Sequence, residues 1–270
     1  MGLLGLLLIL ALIQGLTEFL PVSSSGHLVL GRSYLPGGER LPDDATVEIL
    51  LHVGTLLAVC VFYRREILRL AAGALGRGPE PGTQRRLLGL LLLGSLPAGI
   101  VGIGFEEKIQ ESFGSPNLTS AMLLVTGAVL WWSRRFRDRG IELDAMGPAA
   151  ALAIGCAQAC AILPGISRSG STIVIGLAVG LSAASSTTFS FLLSIIAVGG
   201  AILLEADAVL AFARAEPAQS AAGVATSALV GFLALGLLVW IGRNRRLWIF
   251  APYCWAAGLA GLVWGLWLAD

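Results

Sequence analysis

Glu18 and Arg168 are the two charges of this chain that fall inside long apolar stretches; the other acids, and the other Lys and Arg residues, read as loop or terminal positions. A charge at the centre of a membrane helix costs roughly 2.5–3.5 kcal/mol on insertion scales, so such a residue usually marks a functional site. Glu18 sits in Gln14-Gly15-Leu16-Thr17-Glu18-Phe19-Leu20-Pro21-Val22-Ser23-Ser24-Ser25-Gly26-His27, and Arg168 in Leu163-Pro164-Gly165-Ile166-Ser167-Arg168-Ser169-Gly170-Ser171-Thr172. In each segment Pro and Gly end one helix, and the next starts with N–H groups pointing at the break, an arrangement that favours anions. The hydroxyls of Ser23, Ser25, Ser167, Ser169 and Thr172 add donors. Arg168 supplies a planar fork suited to phosphate oxygens. The chemistry described is capture of a phosphate or diphosphate group.

Glu18 would repel such an anion unless something stands between them. A divalent cation bridging carboxylate and phosphate resolves the conflict and makes Glu18 a metal ligand. A buried carboxyl acting as general acid or base resolves it equally well. Gln14, one turn earlier on the same helical face, can bind substrate or orient that carboxylate. Plainer roles compete: an ion pair that pins two halves of the chain together, and small polar residues that let helices pack closely. The pair alone does not account for the hydroxyls, nor does close packing account for Arg168. His27 reads as a base or nucleophile, or equally as a packing residue. His52, in mid-span, reads as structural. Ser167 only partly resembles a Gly-x-Ser-x-Gly elbow, so a phosphate-ligand role suits it better than that of nucleophile.

Absences narrow the field. The one lysine, Lys108, lies in a loop, so no P-loop lysine exists. No histidine–cysteine set fits zinc. The cysteines Cys60, Cys156, Cys160 and Cys254 lie in apolar stretches and read as small packing residues. With a net charge of +1, the chain carries no basic stripe for nucleic acid.

The elements that must position these residues belong to a membrane. The 270 residues are 56% hydrophobic and 13% charged, about half the charged fraction of a soluble domain. Six segments have the length of full spans, about 45–63, 87–105, 118–133, 189–204, 223–241 and 249–268. Two more, about 2–20 and 147–163, run into the Pro, Ser and Gly clusters, as helices that break within the bilayer do. No removable signal peptide is expected at the N-terminus. Arginines crowd loops 64–86, 134–146 and 242–247, which the positive-inside rule assigns to the cytoplasm. Acids fill the alternate loops, around Glu39 to Glu48, Glu106 to Glu111 and Glu205 to Glu216.

A shift of about 144 residues lays Gln14 on Gln158, Ser23 on Ser167, Ser25 on Ser169 and Gly26 on Gly170. Each copy is followed by three spans, and three is odd, so the second half must be inverted relative to the first. The expected fold is an all-α polytopic membrane protein. It is a single membrane domain with an inverted-topology repeat, 1–135 and 145–270, each half a re-entrant helix pair plus three transmembrane helices. Both termini then face outward.

At the two polar segments the chain resembles the undecaprenyl-diphosphatase, or bacitracin-resistance, family. Gln14, Glu18 and Pro21 through His27 match one of its motifs, and Pro164 through Thr172 match the Pro-Gly-x-Ser-Arg-Ser-x-x-Thr motif. The likeness extends along nearly the whole chain, including Phe189-Ser190-Phe191-Leu192-Leu193. It implies hydrolysis of undecaprenyl diphosphate, a polyprenyl lipid, to the monophosphate and phosphate, recycling the carrier of cell-wall synthesis and conferring bacitracin tolerance. It implies a divalent cation, Mg or Ca, and a multi-pass protein of the bacterial plasma (inner) membrane, among bilayer lipids, with its pocket open to the outer face. By position, Glu18 and Arg168 are the main catalytic candidates, with His27, Ser167, Gln14, Ser23, Ser25, Ser169 and Thr172 in support. Two departures stand out: Gln14 where many members carry Glu, which leaves one carboxylate for a metal, and Ile195-Ile196 where Ile-Pro is common. A transporter or flippase of an anionic polyprenyl lipid is the alternative, since inverted repeats are typical of transporters. A homodimer stays open.

Overall fold

The computed structural model describes residues 2–34, 44–136, 139–243 and 246–267. These form thirteen α-helices, and no β-strand occurs among the described residues. In the first half, α1 (Leu3–Phe19) turns back into α2 (Ser24–Tyr34), and α3 (Asp44–Phe62) bends by 77° into α4 (Arg64–Ala74). Then follow α5 (Pro81–Gly104), the short α6 (Glu106–Phe113) and, after a 95° bend, α7 (Pro116–Trp132). The second half has six helices where the first has seven. α8 (Pro148–Cys160) turns back into α9 (Arg168–Ala178), followed by α10 (Ala183–Leu204), α11 (Ala206–Ala215), α12 (Pro217–Arg243) and α13 (Ala251–Trp267).

Length and hydropathy make this a polytopic membrane protein. Four helices are long and apolar enough to span, and the two bent pairs bring the number to six. α1 and α8, with 17 and 13 residues, rise only about 26 and 20 Å at 1.5 Å per residue, short of a roughly 30 Å hydrocarbon core. Both are apolar yet turn back, as expected of broken segments.

The spans differ from the expected boundaries where capping extends them. Pro81 and Pro217 occupy first-turn positions, where a missing N–H costs nothing, so α5 and α12 begin about six residues early. Ser182 caps α10 by accepting a hydrogen bond from the Ser185 N–H at 3.1 Å, which starts that helix at Ala183. Three segments expected to be loops are helices instead. α4 carries Arg64, Arg65 and Arg69, α6 carries Glu106, Glu107 and Glu111, and α11 carries Asp207. Each is short and amphipathic, and α4 and α6 are set off by sharp bends, so their charges lie at the ends of the bundle without demanding an irregular chain. Arg85 and Arg86 lie within α5, and Glu48 lies within α3. Glu39, Asp43, Arg137 and Arg245 lie outside the described residues.

Packing pairs elements across the two halves. α1 lies along α12 and α8 along α5, while α7 lies along α13 and α3 also packs on α12. Small residues permit the closest approaches. A Cβ on Gly54 of α3 would stand 2.0 Å from Ser227 Oγ of α12, and one on Gly155 of α8 would stand 2.2 Å from the Gly94 carbonyl oxygen of α5. A core around Phe19, Phe189 and Phe191 seals the region beneath the first break.

Candidate active site

Pro21 interrupts the first re-entrant pair and Pro164 the second. α1 ends at Leu20 in extended backbone, and Ser23 adopts a left-handed φ of +70°. Its hydroxyl accepts hydrogen bonds from the Gly26 N–H at 3.2 Å and, across 142 residues, from the Gly165 N–H at 3.1 Å. In the second break Ser167 caps α9 by accepting from the Gly170 N–H at 3.1 Å. The Ser23–Ser25 and Ser167–Ser169 hydroxyl pairs each lie at 3.3 Å. The two breaks thus share this hydroxyl pattern, although Ser167 has an ordinary extended backbone where Ser23 is left-handed. Thr126 of α7 ties the second break down, donating to the Gly165 carbonyl at 2.7 Å and accepting from the Ser167 N–H at 2.9 Å.

This cross-linking sets Arg168, the first residue of α9, against Glu18 in the last turn of α1. The guanidinium Nη2 of Arg168 donates to Glu18 Oε1 in an ion pair. The other oxygen, Oε2, is surrounded: the Ser24 hydroxyl donates to it at 2.5 Å, the Gln14 amide nitrogen donates at 3.1 Å, and His52 Nε2 lies 3.2 Å away. Glu18 is buried, its side chain 4% exposed, while the Arg168 side chain is 18% exposed and so forms the open side of the pair. A carboxylate engaged at both oxygens and a guanidinium only partly used make a site that can take an anion at the arginine. It can also take a proton from Ser24 at the glutamate.

Other expected residues lie around this pair in different roles. Thr172 donates to the Arg168 carbonyl at 2.7 Å and lies 2.5 Å from the Ser190 hydroxyl of α10, which holds the first turn of α9. Ser169 donates to the Leu20 carbonyl at 3.4 Å. His27 has one ring nitrogen on the Ser23 carbonyl and the other on the Tyr253 hydroxyl, both at 2.7 Å, and its ring stacks on Tyr253 of α13. Gln158, the counterpart of Gln14, is buried with neither side-chain nitrogen nor oxygen hydrogen-bonded, and Ile162 stands where Glu18 would be. Only the first copy carries the acid.

Two residues that sequence reasoning left out belong to the site. Ser24 stands between the matched residues Ser23 and Ser25, and the 144-residue shift lays it on Arg168. His52, which reads as structural from the sequence, reaches Glu18 directly. The signal was present: it is an ionisable group in mid-span, and the rule applied to Glu18 and Arg168 applies to it as well.

The donor set does not suit a resident metal ion. The Glu18 carboxylate already has four polar neighbours, and no group of three His, Cys, Asp or Glu side chains gathers among the described residues. Cys156 and Cys160 are exposed on the surface of α8, Cys60 is half-buried and Cys254 buried. Two cavities, of about 310 and 250 Å³, lie away from this site beside Leu143, Asp144 and Thr188.

The chain matches the family described as bacitracin resistance protein BacA over residues 7–260. It is 42% identical over 251 residues to an undecaprenyl-diphosphatase of Syntrophotalea carbinolica, covering 93% of this chain and 95% of that one. It is similarly 42% identical over 268 residues to an undecaprenyl-diphosphatase of Desulfatibacillum aliphaticivorans, with 94% and 96% covered. A protein of the same name from Methanobrevibacter smithii is 34% identical over 264 residues, with 93% and 94% covered.

Proposed function

The chain belongs to the bacitracin resistance protein BacA family, and we propose from that membership and from the geometry around Glu18 that it hydrolyses undecaprenyl diphosphate. The products are undecaprenyl phosphate and inorganic phosphate, which returns the lipid carrier to cell-wall synthesis and gives tolerance to bacitracin. The observation that carries the reading is one carboxylate, Glu18, bonded at one oxygen to a phosphate-binding guanidinium and at the other to a hydroxyl. The relatives above are undecaprenyl-diphosphatases and not carriers, so hydrolysis takes precedence over the transport reading.

In this mechanism the terminal phosphate docks on Arg168 and the first-turn N–H groups of α9. Glu18 Oε2 takes the Ser24 hydroxyl proton as Ser24 Oγ forms a bond to the terminal phosphorus. The bond from that phosphorus to the bridging oxygen breaks, and the lipid monophosphate leaves with the proton from Glu18. Water, deprotonated by Glu18, then attacks phosphoserine. The Oγ–P bond breaks, Ser24 regains a proton, and phosphate departs. Ser167 and Thr172 serve by holding the start of α9. His27 and Tyr253 border the lipid phosphate, and Gln14 steadies the carboxylate.

We assign this multi-pass membrane protein to the bacterial plasma membrane, with both termini outside, from the distribution of its arginines and acids. The two halves are inverted copies, a reading supported by the crossed packing of α1 on α12 and α8 on α5. Phosphate release from undecaprenyl diphosphate by the purified protein in detergent is the test. Glu18→Ala and Arg168→Ala each lower the rate by about 10³-fold or more. Full activity in either variant overturns the reading.

A further inference from the structure

His52 stands on α3, outside both polar segments, and its ring is fixed at both ends. Nδ1 lies 2.8 Å from the Glu48 carbonyl oxygen one turn earlier, and Nε2 lies 3.2 Å from Glu18 Oε2. Each ring nitrogen faces an acceptor. Nδ1 therefore carries a hydrogen, and one further proton lies between Nε2 and Oε2. The helix is itself held close to α12, where Ser227 donates to the Leu51 carbonyl at 2.9 Å and Gly54 leaves no room for a Cβ. A histidine that served only to fill space between helices needs neither this second polar contact nor a rigid mount.

The orientation of Glu18 explains the need. A guanidinium fork prefers to take both oxygens of a carboxylate in parallel, yet the hydrogen bond from Arg168 runs to Oε1, while Oε2 is turned toward Ser24, Gln14 and His52. In the absence of those partners the carboxylate is free to rotate onto the fork, which withdraws the base from Ser24. Gln14 approaches from one turn earlier on the same helix, whereas His52 comes from a different helix and fixes the carboxylate in space. We propose that His52 is a positioning residue for the hydrolysis, holding Glu18 Oε2 against the Ser24 hydroxyl. It acts through Glu18 and does not touch the substrate, so its effect appears in kcat. This rests on the phosphatase reading above.

Three substitutions test it. Glutamine can place its amide nitrogen where Nε2 now lies. Asparagine is shorter: it can keep the bond to the Glu48 carbonyl but cannot reach Oε2. Leucine offers neither bond. Steady-state phosphate release from undecaprenyl diphosphate is measured for the wild type, His52→Gln, His52→Asn and His52→Leu, with the Tm of each in detergent. The expectation is a kcat lowered about 10- to 100-fold in the Asn and Leu variants, with KM within about threefold, and His52→Gln within about threefold of the wild type. His52→Asn retains the polar contact within α3, so its rate decides the matter if His52→Leu does not fold. An Asn variant as fast as the wild type, or a Gln variant as slow as Asn, overturns the assignment while the phosphatase reading stands. A wild-type protein that releases no phosphate overturns that reading, and the assignment with it.

Discussion

At the residue scale, three adjacent serines that look interchangeable in sequence have different jobs. Ser23 accepts from two backbone N–H groups, one in each break, so it is part of the scaffold. Ser24 donates at 2.5 Å to Glu18, and in the proposed mechanism it is the nucleophile. Ser25 meets only the Ser23 hydroxyl among the hydrogen bonds described. Ser23→Ala leaves two N–H groups unpaired and is expected to cost about 2–4 kcal/mol of stability, read as a lower Tm in detergent. Ser24→Ala is expected to keep the Tm close to wild type and to lower kcat by about 10³-fold or more. An active Ser24→Ala would remove the serine as nucleophile. Hydroxyls at adjacent positions point in different directions as the chain leaves a turn, and their sequence does not encode which way each points.

At the element scale, the site depends on two helix breaks meeting. Gly165 makes this possible: its φ is +96°, and a Cβ there would stand 2.2 Å from the Thr119 carbonyl oxygen of α7. Both the backbone conformation and the close approach exclude a side chain. Gly165→Ala is therefore expected to destabilise the protein by about 2–4 kcal/mol and to lower activity through displacement of Arg168. Thermal unfolding and phosphate release, measured together, check both effects. The breaks themselves were legible, since Pro21 and Pro164 interrupt apolar runs in the company of Ser and Gly. α4, α6 and α11 were not, because a short amphipathic helix at the end of a bundle has the composition of a charged loop.

At the scale of the whole molecule, the positive-inside rule assigns the arginines of α4 and the pair Arg134 and Arg135 to one side, and the acidic helices α6 and α11 to the other. In the proposed topology of six spans and two re-entrant pairs, both termini lie on the acidic side. A reporter active only outside the cell is expected to be active when fused at the C-terminus and silent when fused after Gly140. The reverse pattern would invert the orientation proposed here. The crossed pairing of α1 with α12 and α8 with α5 explains why a site needs both halves: each broken helix is walled by a long helix of the other half.

The membrane class, the two breaks and the pairing of Glu18 with Arg168 were determined by the chain itself, because an apolar solvent makes each buried charge and each unpaired backbone group conspicuous. Which serine faces the carboxylate, and the arrival of His52 from α3, were decided only by the tertiary structure. Those contacts depend on how far one helix is rotated against another, and that rotation is set by close packing at residues such as Gly54 and Ser227, which leave no periodic mark in a sequence.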